Sequence, residues 1–408
     1  MWLFLFLLLI PTQLGRHFWP EWSYVLGIRV DYLSPTLYLL DLIWIGLIIS
    51  NLIKPSALRA PPLTGRLFKF KYLVILGFVV VNVLIAVNPM VAVYKWLRLF
   101  QLLISFWYFR KNKKTIKENL TKIIPCWIVF ESLLAIAQIA KNGSLNGIFW
   151  WLGERSFTFN TIGIAQISVM GRGLIRAYGT FSHPNSLAGF LLVTLVLWYE
   201  FYDLLRSTSY GRLKWWIVFW LGFLGILVSG SRTIWFLTLG LFFALAFIKI
   251  INKGNLIGLF LLFLAVLVFV LRLINMEYPI SDFLGGWDSD GIGKRIQLNV
   301  VGLKMVKESP WFGVGLGNFL VRLPEFQINN GVYWLQPVHN ILLLAWSQIG
   351  TLGLFGLFLF FNKNFVWKKV NFIFKIILLI VLISGMIDHY WLTLPQNVWL
   401  LVLVLGIV

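Results

Sequence analysis

A helix that crosses the roughly 30 Å hydrocarbon layer of a bilayer needs about 20 mostly apolar residues. Apolar runs bounded by charge, or by clusters of Pro, Gly and Asn, predict about twelve such spans along this chain. They fall at 1–14, 36–53, 72–87, 91–109, 123–140, 186–203, 215–229, 233–250, 255–274, 339–361, 374–392 and 397–408. The first and last are short for a crossing. The first, MWLFLFLLLIPTQLG, lacks a basic n-region and is followed by further spans, so it reads as a retained segment rather than a cleaved signal.

Alternating these spans divides the connections into two sets, and the distribution of basic residues tests that division independently. One set (54–71, 110–122, 204–214, 249–254 and 362–375) holds 5, 6, 3, 2 and 4 Lys or Arg, twenty in all. The other holds thirteen over much longer loops. Short loops dense in base are cytoplasmic, which puts both termini inside and the long loops 141–185 and 275–338 outside. No internal repeat and no appended soluble domain is visible, so residues 1–408 read as one all-α polytopic membrane domain. Within the 275–338 loop, IGKRIQLNVVGLKMVKESP carries Ile296, Val300, Leu303 and Val306 or Val301 at helical spacing. This predicts an amphipathic helix outside the bilayer, stopped by Pro310.

Composition agrees. Of 408 residues, 59% are hydrophobic and 12% charged, which excludes a water-soluble globule of this size. The net charge of +20 would point to a nucleic-acid partner in a polar protein. Here most of it is accounted for by topology, and no nucleic acid is expected. The lone cysteine, Cys126, excludes an intramolecular disulfide and a cysteine-based zinc site. Seventy aromatic residues suit two wide interfaces at headgroup depth.

Candidate chemistry concentrates on the predicted outer side. His17, His183, His339 and His389 all fall there, and three of them stand at mouths of spans. In RAYGTFSHPNSLAGFLL, Pro184 suits a first helical turn and places His183 near the N-cap, with Asn185 beside it. In QPVHNILLLAWSQIGTLG, Pro337 precedes a helix starting near His339 and Asn340, and SGSRT sets Arg232 at a third outward helix start. Helix N-termini carry free N–H groups and partial positive charge, so three on one side make an anion site. Around them lie Arg172, Arg176, Arg272, Lys294 and Arg295, with Lys95 and Arg98 at i and i+3 just below. An arginine offers a planar fork for phosphate, and a histidine can act as a base near neutral pH.

Blander readings stand beside these. Lys95 and Arg98 could snorkel outward or form a structural ion pair, His183 could simply cap its helix, and His389 beside Asp388 could be an oriented base or a satisfied polar pair. GVGLGNF at 313–319 has no strand before it and reads as a turn rather than a phosphate loop. The Gly350, Gly353 and Gly356 series reads as close helix packing. Asp282, Asp288 and Asp290 in FLGGWDSDGIG lack the calcium-loop spacing, so no metal ligand is assigned.

RAYGTFSHPNSLAG, SGSRT, KRIQLNVVGLKMVKESPWFGVGLGNF and HNILLLAWSQIGTLG occur in the order and spacing of the O-antigen ligase and O-antigen polymerase superfamily of bacterial membrane glycosyltransferases. This chain resembles that superfamily over roughly residues 70–395. The resemblance implies a multi-span enzyme of the inner (cytoplasmic) membrane that needs neither cofactor nor metal. It implies a glycan donor on undecaprenyl pyrophosphate, used at the periplasmic or outer face, and a glycan or glycolipid acceptor. Matched by motif, Arg176 and Arg295 would hold the pyrophosphate and His339 would activate the acceptor hydroxyl. Arg232, His183, Asn185, Lys95, Arg98, Asn340 and His389 are the remaining candidate substrate-binding residues. A repeat-unit polymerase is the alternative within the superfamily. A lipid-linked glycan transporter or flippase is the alternative from another class, and it would place its binding residues nearer the midplane.

Overall fold

The computed structural model describes residues 1–52, 66–169, 172–201, 208–247, 289–327, 335–365 and 370–408. Most of them are helical. The principal helices are α1 (Trp2–Leu8), α2 (Leu39–Leu52), α3 (Arg66–Leu84), α4 (Pro89–Lys111), α5 (Lys113–Lys141), α6 (Ile148–Trp151), α7 (Pro184–Glu200), α8 (Ser209–Val228) and α9 (Arg232–Phe247). They are followed by α10 (Ser289–Glu308), α11 (Phe319–Phe326), α12 (Ile341–Asn364), α13 (Phe372–Gly385), α14 (Tyr390–Thr393) and α15 (Pro395–Ile407). Among the described residues, α4, α5, α8 and α12 are long and apolar enough to cross a membrane by length and composition, and five shorter apolar stretches accompany them.

Several of the twelve expected spans change form. The 1–14 run is helical only over the seven residues of α1 and then enters strand β1 (Gly15–His17), too short to cross. The basic stretch 110–122, expected as a loop, is helix: the chain turns only at Asn112, and α5 then runs unbroken through Pro125 to Lys141. Its Lys and Glu residues are good helix formers, so charge alone does not end it. The run 374–392 stops at Gly385 and resumes as the single turn α14. The expected span 255–274, with Arg272, Asp282 and Asp288, lies outside the described residues.

The chain is not purely α. Strand β1 pairs antiparallel with β4 (Thr36–Tyr38), and β2 (Tyr24–Val25) with β3 (Ile28–Arg29). In the 141–185 loop, β5 (Gln166–Val169) pairs with β6 (Arg172–Ile175).

Two apolar cores organise these elements. The larger joins α1, α2, α5, α7, α8, α9, α13 and α15 around Trp127, Trp198, Trp391 and Phe190. The smaller joins Val25, Val30 and Leu33 of the N-terminal hairpin region to Leu298, Val301 and Met305 of α10, to α11, and to Val338 and Leu344. The expected amphipathic helix is therefore present as α10, and its buried residues are Leu298, Val301, Met305 and Val306. Of the expected stripe, Val301 and Val306 are buried and Ile296, Val300 and Leu303 are exposed. Both sets satisfy helical spacing, and the N-terminal hairpin selects the first.

The 313–319 glycines make a turn, as its sequence context predicts. The amide of Val314 donates to the Ser347 carbonyl, that of Gly315 to Gln348, and those of Leu316 and Gly317 to the side chains of Asn82 and Gln348. With these N–H groups engaged, none of the four is left for a phosphate. The turn presses into α12 where Gly350, at φ +64°, breaks the helix. A Cβ there would stand 2.4 Å from the backbone of Trp311, so only glycine fits.

Candidate functional site

Three helix starts converge. At α7, His183 is the N-cap, and its Nδ1 accepts from the Asn185 amide at 3.2 Å, with Pro184 in the first turn. At α12, the Asn340 side-chain oxygen accepts from the amides of Leu342 and Leu343, both at 3.0 Å. Asn340 is thus a cap that fixes where the helix begins, one residue after His339. At α9, the chain leaves α8 through Ser229 and Gly230, and Arg232 opens the next helix. Gly230 has φ +64°, and a Cβ on it would approach Arg176 Nε to 3.0 Å. The glycine of SGSR lets the arginine side chain lie across the turn.

Arg176 is buried among these ends. Its Nε donates to the Ser229 carbonyl (2.9 Å) and its Nη2 to Asn185 Oδ1 (2.6 Å). The Asn185 amide in turn donates to Asp388 Oδ2 at 2.8 Å. Asp388 also accepts from the His389 amide at 2.8 Å. The result is a continuous chain from guanidinium to carboxylate to the imidazole segment.

The imidazoles face one another. His339 and His389 have ring centroids 5.0 Å apart. Thr393 donates its hydroxyl proton to the His389 carbonyl, so the 2.7 Å contact between its oxygen and His389 Nδ1 has the ring donating. On that assignment the His389 lone pair is on Nε2. His339 Nδ1 is buried and makes no hydrogen bond among the described residues.

Electrostatics sets the protonation states. Burial pushes His183, His339 and His389 down to about 4, against the opposing pull of Asp388. All three are neutral at pH 7. Burial also raises the Asp388 carboxyl, but the imidazoles, protonated at the acid pH where this carboxyl titrates, and the Asn185 donor outweigh it and hold Asp388 below the usual carboxylate range. Arg176 is lowered to about 10 by burial, with the charges of Arg232 and Arg295 acting in the same direction, and it remains a cation. Arg295, on α10, acts on all three imidazoles as well as on Arg176. Arginine charge, neutral imidazole and one carboxylate therefore share a single electrostatic site.

Not every candidate is brought there. Arg98 donates to Asp41 at 2.5 Å, to the Tyr94 hydroxyl at 3.1 Å, to Gln101 at 2.9 Å and to the Thr36 carbonyl. These contacts tie α4 to α2 and β4, the structural ion pair weighed against a substrate role. Lys95 lies against Gly317 and the Tyr94 ring. His17 bonds Ser34 and Thr36 and stacks on Trp19.

Sequence reasoning left Asp388 as a bare alternative and missed Thr393, Ser229 and the groups that hold the RAYGTFS turn. Gln138 of α5 accepts from the Tyr178 and Gly179 amides and donates to the Gly179 carbonyl and to Glu154. Glu131, one helical register earlier, accepts from the Thr180 amide and hydroxyl. Two buried polar residues in the apolar stretch 123–140 were the available signal.

His339, Asp388 and His389 also offer ligand atoms within 4.8 Å of one another, a donor set that could hold a metal ion. Arg176 and Arg295 oppose a cation there, and the Asp388 oxygens already accept two hydrogen bonds.

A mostly helical chain with membrane-length apolar helices and a buried arginine–imidazole cluster has the character of a helical membrane protein with a polar site. Residues 217–361 match the family model described as O-antigen ligase, in agreement with the resemblance carried by the motifs. A comparison with curated proteins gives no match.

Proposed function

We propose that this protein is an extracytoplasmic glycosyltransferase that moves a preassembled glycan from a polyprenyl pyrophosphate carrier to an acceptor hydroxyl. The supporting observation is the hydrogen-bonded chain Arg176–Asn185–Asp388 running into the paired imidazoles. The acceptor oxygen attacks the anomeric carbon, the bond from that carbon to the pyrophosphate oxygen breaks, and the hydroxyl proton passes to His339. Charge grows on the departing pyrophosphate, and Arg176 and Arg295 stabilise it electrostatically, with Arg232 adjoining. His339, neutral at pH 7, is in the state needed to receive the proton.

No metal is required in this scheme, because the arginines occupy the electrostatic role a divalent ion would take. The enzyme belongs on this reading to the bacterial inner membrane, with the site facing the periplasm or cell exterior and the apolar helices receiving the polyprenyl tail. The acceptor is a glycan or glycolipid. An acceptor that is itself lipid-linked would make the protein a repeat-unit polymerase.

Purified protein given a lipid-linked oligosaccharide and acceptor tests this directly. Transfer releases free polyprenyl pyrophosphate together with the extended acceptor. Movement of intact donor across a vesicle bilayer, with no pyrophosphate released, would make the protein a transporter instead.

A further inference from the structure

The N-terminal 38 residues lie outside the family-matched stretch and outside the motifs that carry the resemblance. They nevertheless reach the imidazoles. Tyr32 meets His389 edge to face, with ring centroids 5.6 Å apart and planes at 86°. On its other side His389 meets His339. The three rings form one run, Tyr32–His389–His339, spanning the N-terminal region, the α13–α14 connection and the start of α12.

Tyr32 stands on firm support. The neighbouring Val30 and Leu33 are 4% and 1% exposed and belong to the smaller core, packed with Leu298, Val301 and Met305 of α10 and with Val338 beside His339. The Leu33 amide donates to the Val30 carbonyl at 2.9 Å, closing the turn that presents Tyr32. His389 is pinned at Nδ1 by Thr393 and at its backbone by Asp388, and neither bond settles the tilt of the ring about the Nδ1 contact. A second ring packed perpendicular to it does, since aromatic pairs prefer such T-shaped contacts.

We infer that Tyr32 is a positioning residue: its ring sets the plane of the His389 imidazole against His339, and so makes the N-terminal hairpin region part of the reaction centre. The consequence for transfer rests on the proposed function, whereas the geometric claim does not.

Tyr32→Leu keeps apolar volume in the core and removes the aromatic edge; Tyr32→Phe keeps the edge and removes the hydroxyl. Full-length protein in detergent is treated with diethyl pyrocarbonate, and modification of each histidine is followed by peptide mass spectrometry with His17 as internal reference. The rate at His389 rises several-fold in Tyr32→Leu and stays at the wild-type value in Tyr32→Phe. In the transfer assay Tyr32→Leu loses about tenfold or more in kcat, as small misplacements in a site do, with donor KM little changed. Tyr32→Phe restores it.

Equal labelling of His389 in wild type and Tyr32→Leu overturns the inference. So does equal loss in the Leu and Phe variants, which would make the hydroxyl rather than the ring edge the acting group. Absence of transfer in every protein including wild type, with labelling behaving as stated, defeats the proposed function and leaves the positioning contact standing.

Discussion

Arg176 and Asp388 never touch: Asn185 stands between them, accepting from the guanidinium through Oδ1 and donating to the carboxylate through its amide. A direct pair would neutralise the arginine. Interposing an amide keeps the guanidinium oriented while its charge stays available to an anion.

That arrangement makes shape matter at Arg176. Lysine keeps the charge but cannot bond Ser229 and Asn185 together as Nε and Nη2 do. Transfer at saturating donor is expected to fall by about tenfold or more in Arg176→Lys, and likewise in Arg295→Lys, at matched protein levels. Near-wild-type rates in both would replace an oriented guanidinium with a general cationic field.

His339→Ala is expected to insert and melt like wild type but to lower turnover by about 10²–10⁴-fold, the usual worth of a general base. Asn340, which caps α12, is untouched by the change. Turnover within a few-fold of wild type would move the base to His389.

The imidazoles also fix the acid limb of the pH profile. A group lowered to about 4 is neutral above that value, so transfer persists through pH 6.5 and falls as pH drops through about 4. An ordinary histidine would lose it near 6.5. Because the unfolded chain protonates first, stability declines in the same direction, from about pH 6.5 downward to about 4. An inflection in kcat/KM near 6.5 would contradict the buried neutral base.

EDTA treatment is expected to leave transfer intact. Loss of activity restored by added divalent metal would instead turn His339, Asp388 and His389 into a ligand set.

Orientation is open to thiol labelling in a Cys126→Ser background. A cysteine at Ile162, a fully exposed position in the loop between α6 and β5, is expected to react with an impermeant reagent in intact cells. One at Thr115, in the basic first turn of α5, is not. The reverse pattern would turn the site toward the cytoplasm.

The mostly helical build and the apolar helices α4, α5, α8 and α12 were legible because apolar length dominates a membrane chain, whereas the full set of twelve spans is not matched among the described residues. The nearness of His183, Asn185 and His339 was legible because prolines and caps mark helix starts. Arg98 was not, since its partner Asp41 is 57 residues away and one intramembrane cation looks like another. Leu298 and Met305 on the buried face of α10 escaped, though Val301 and Val306 were named, because two apolar stripes shared one helix. Tyr32 escaped because the 1–14 run and its sequel read as span and loop, and nothing local reveals a ring seated on a histidine more than 350 residues later.

The family-matched stretch, 217–361, contains Arg232, Arg295 and His339 but none of Arg176, Asn185, Asp388 or His389. The sequence match thus covers one part of the molecule, and the buried polar cluster is divided between that part and its surroundings. An excised 217–361 fragment would carry the family signature and an incomplete electrostatic circuit.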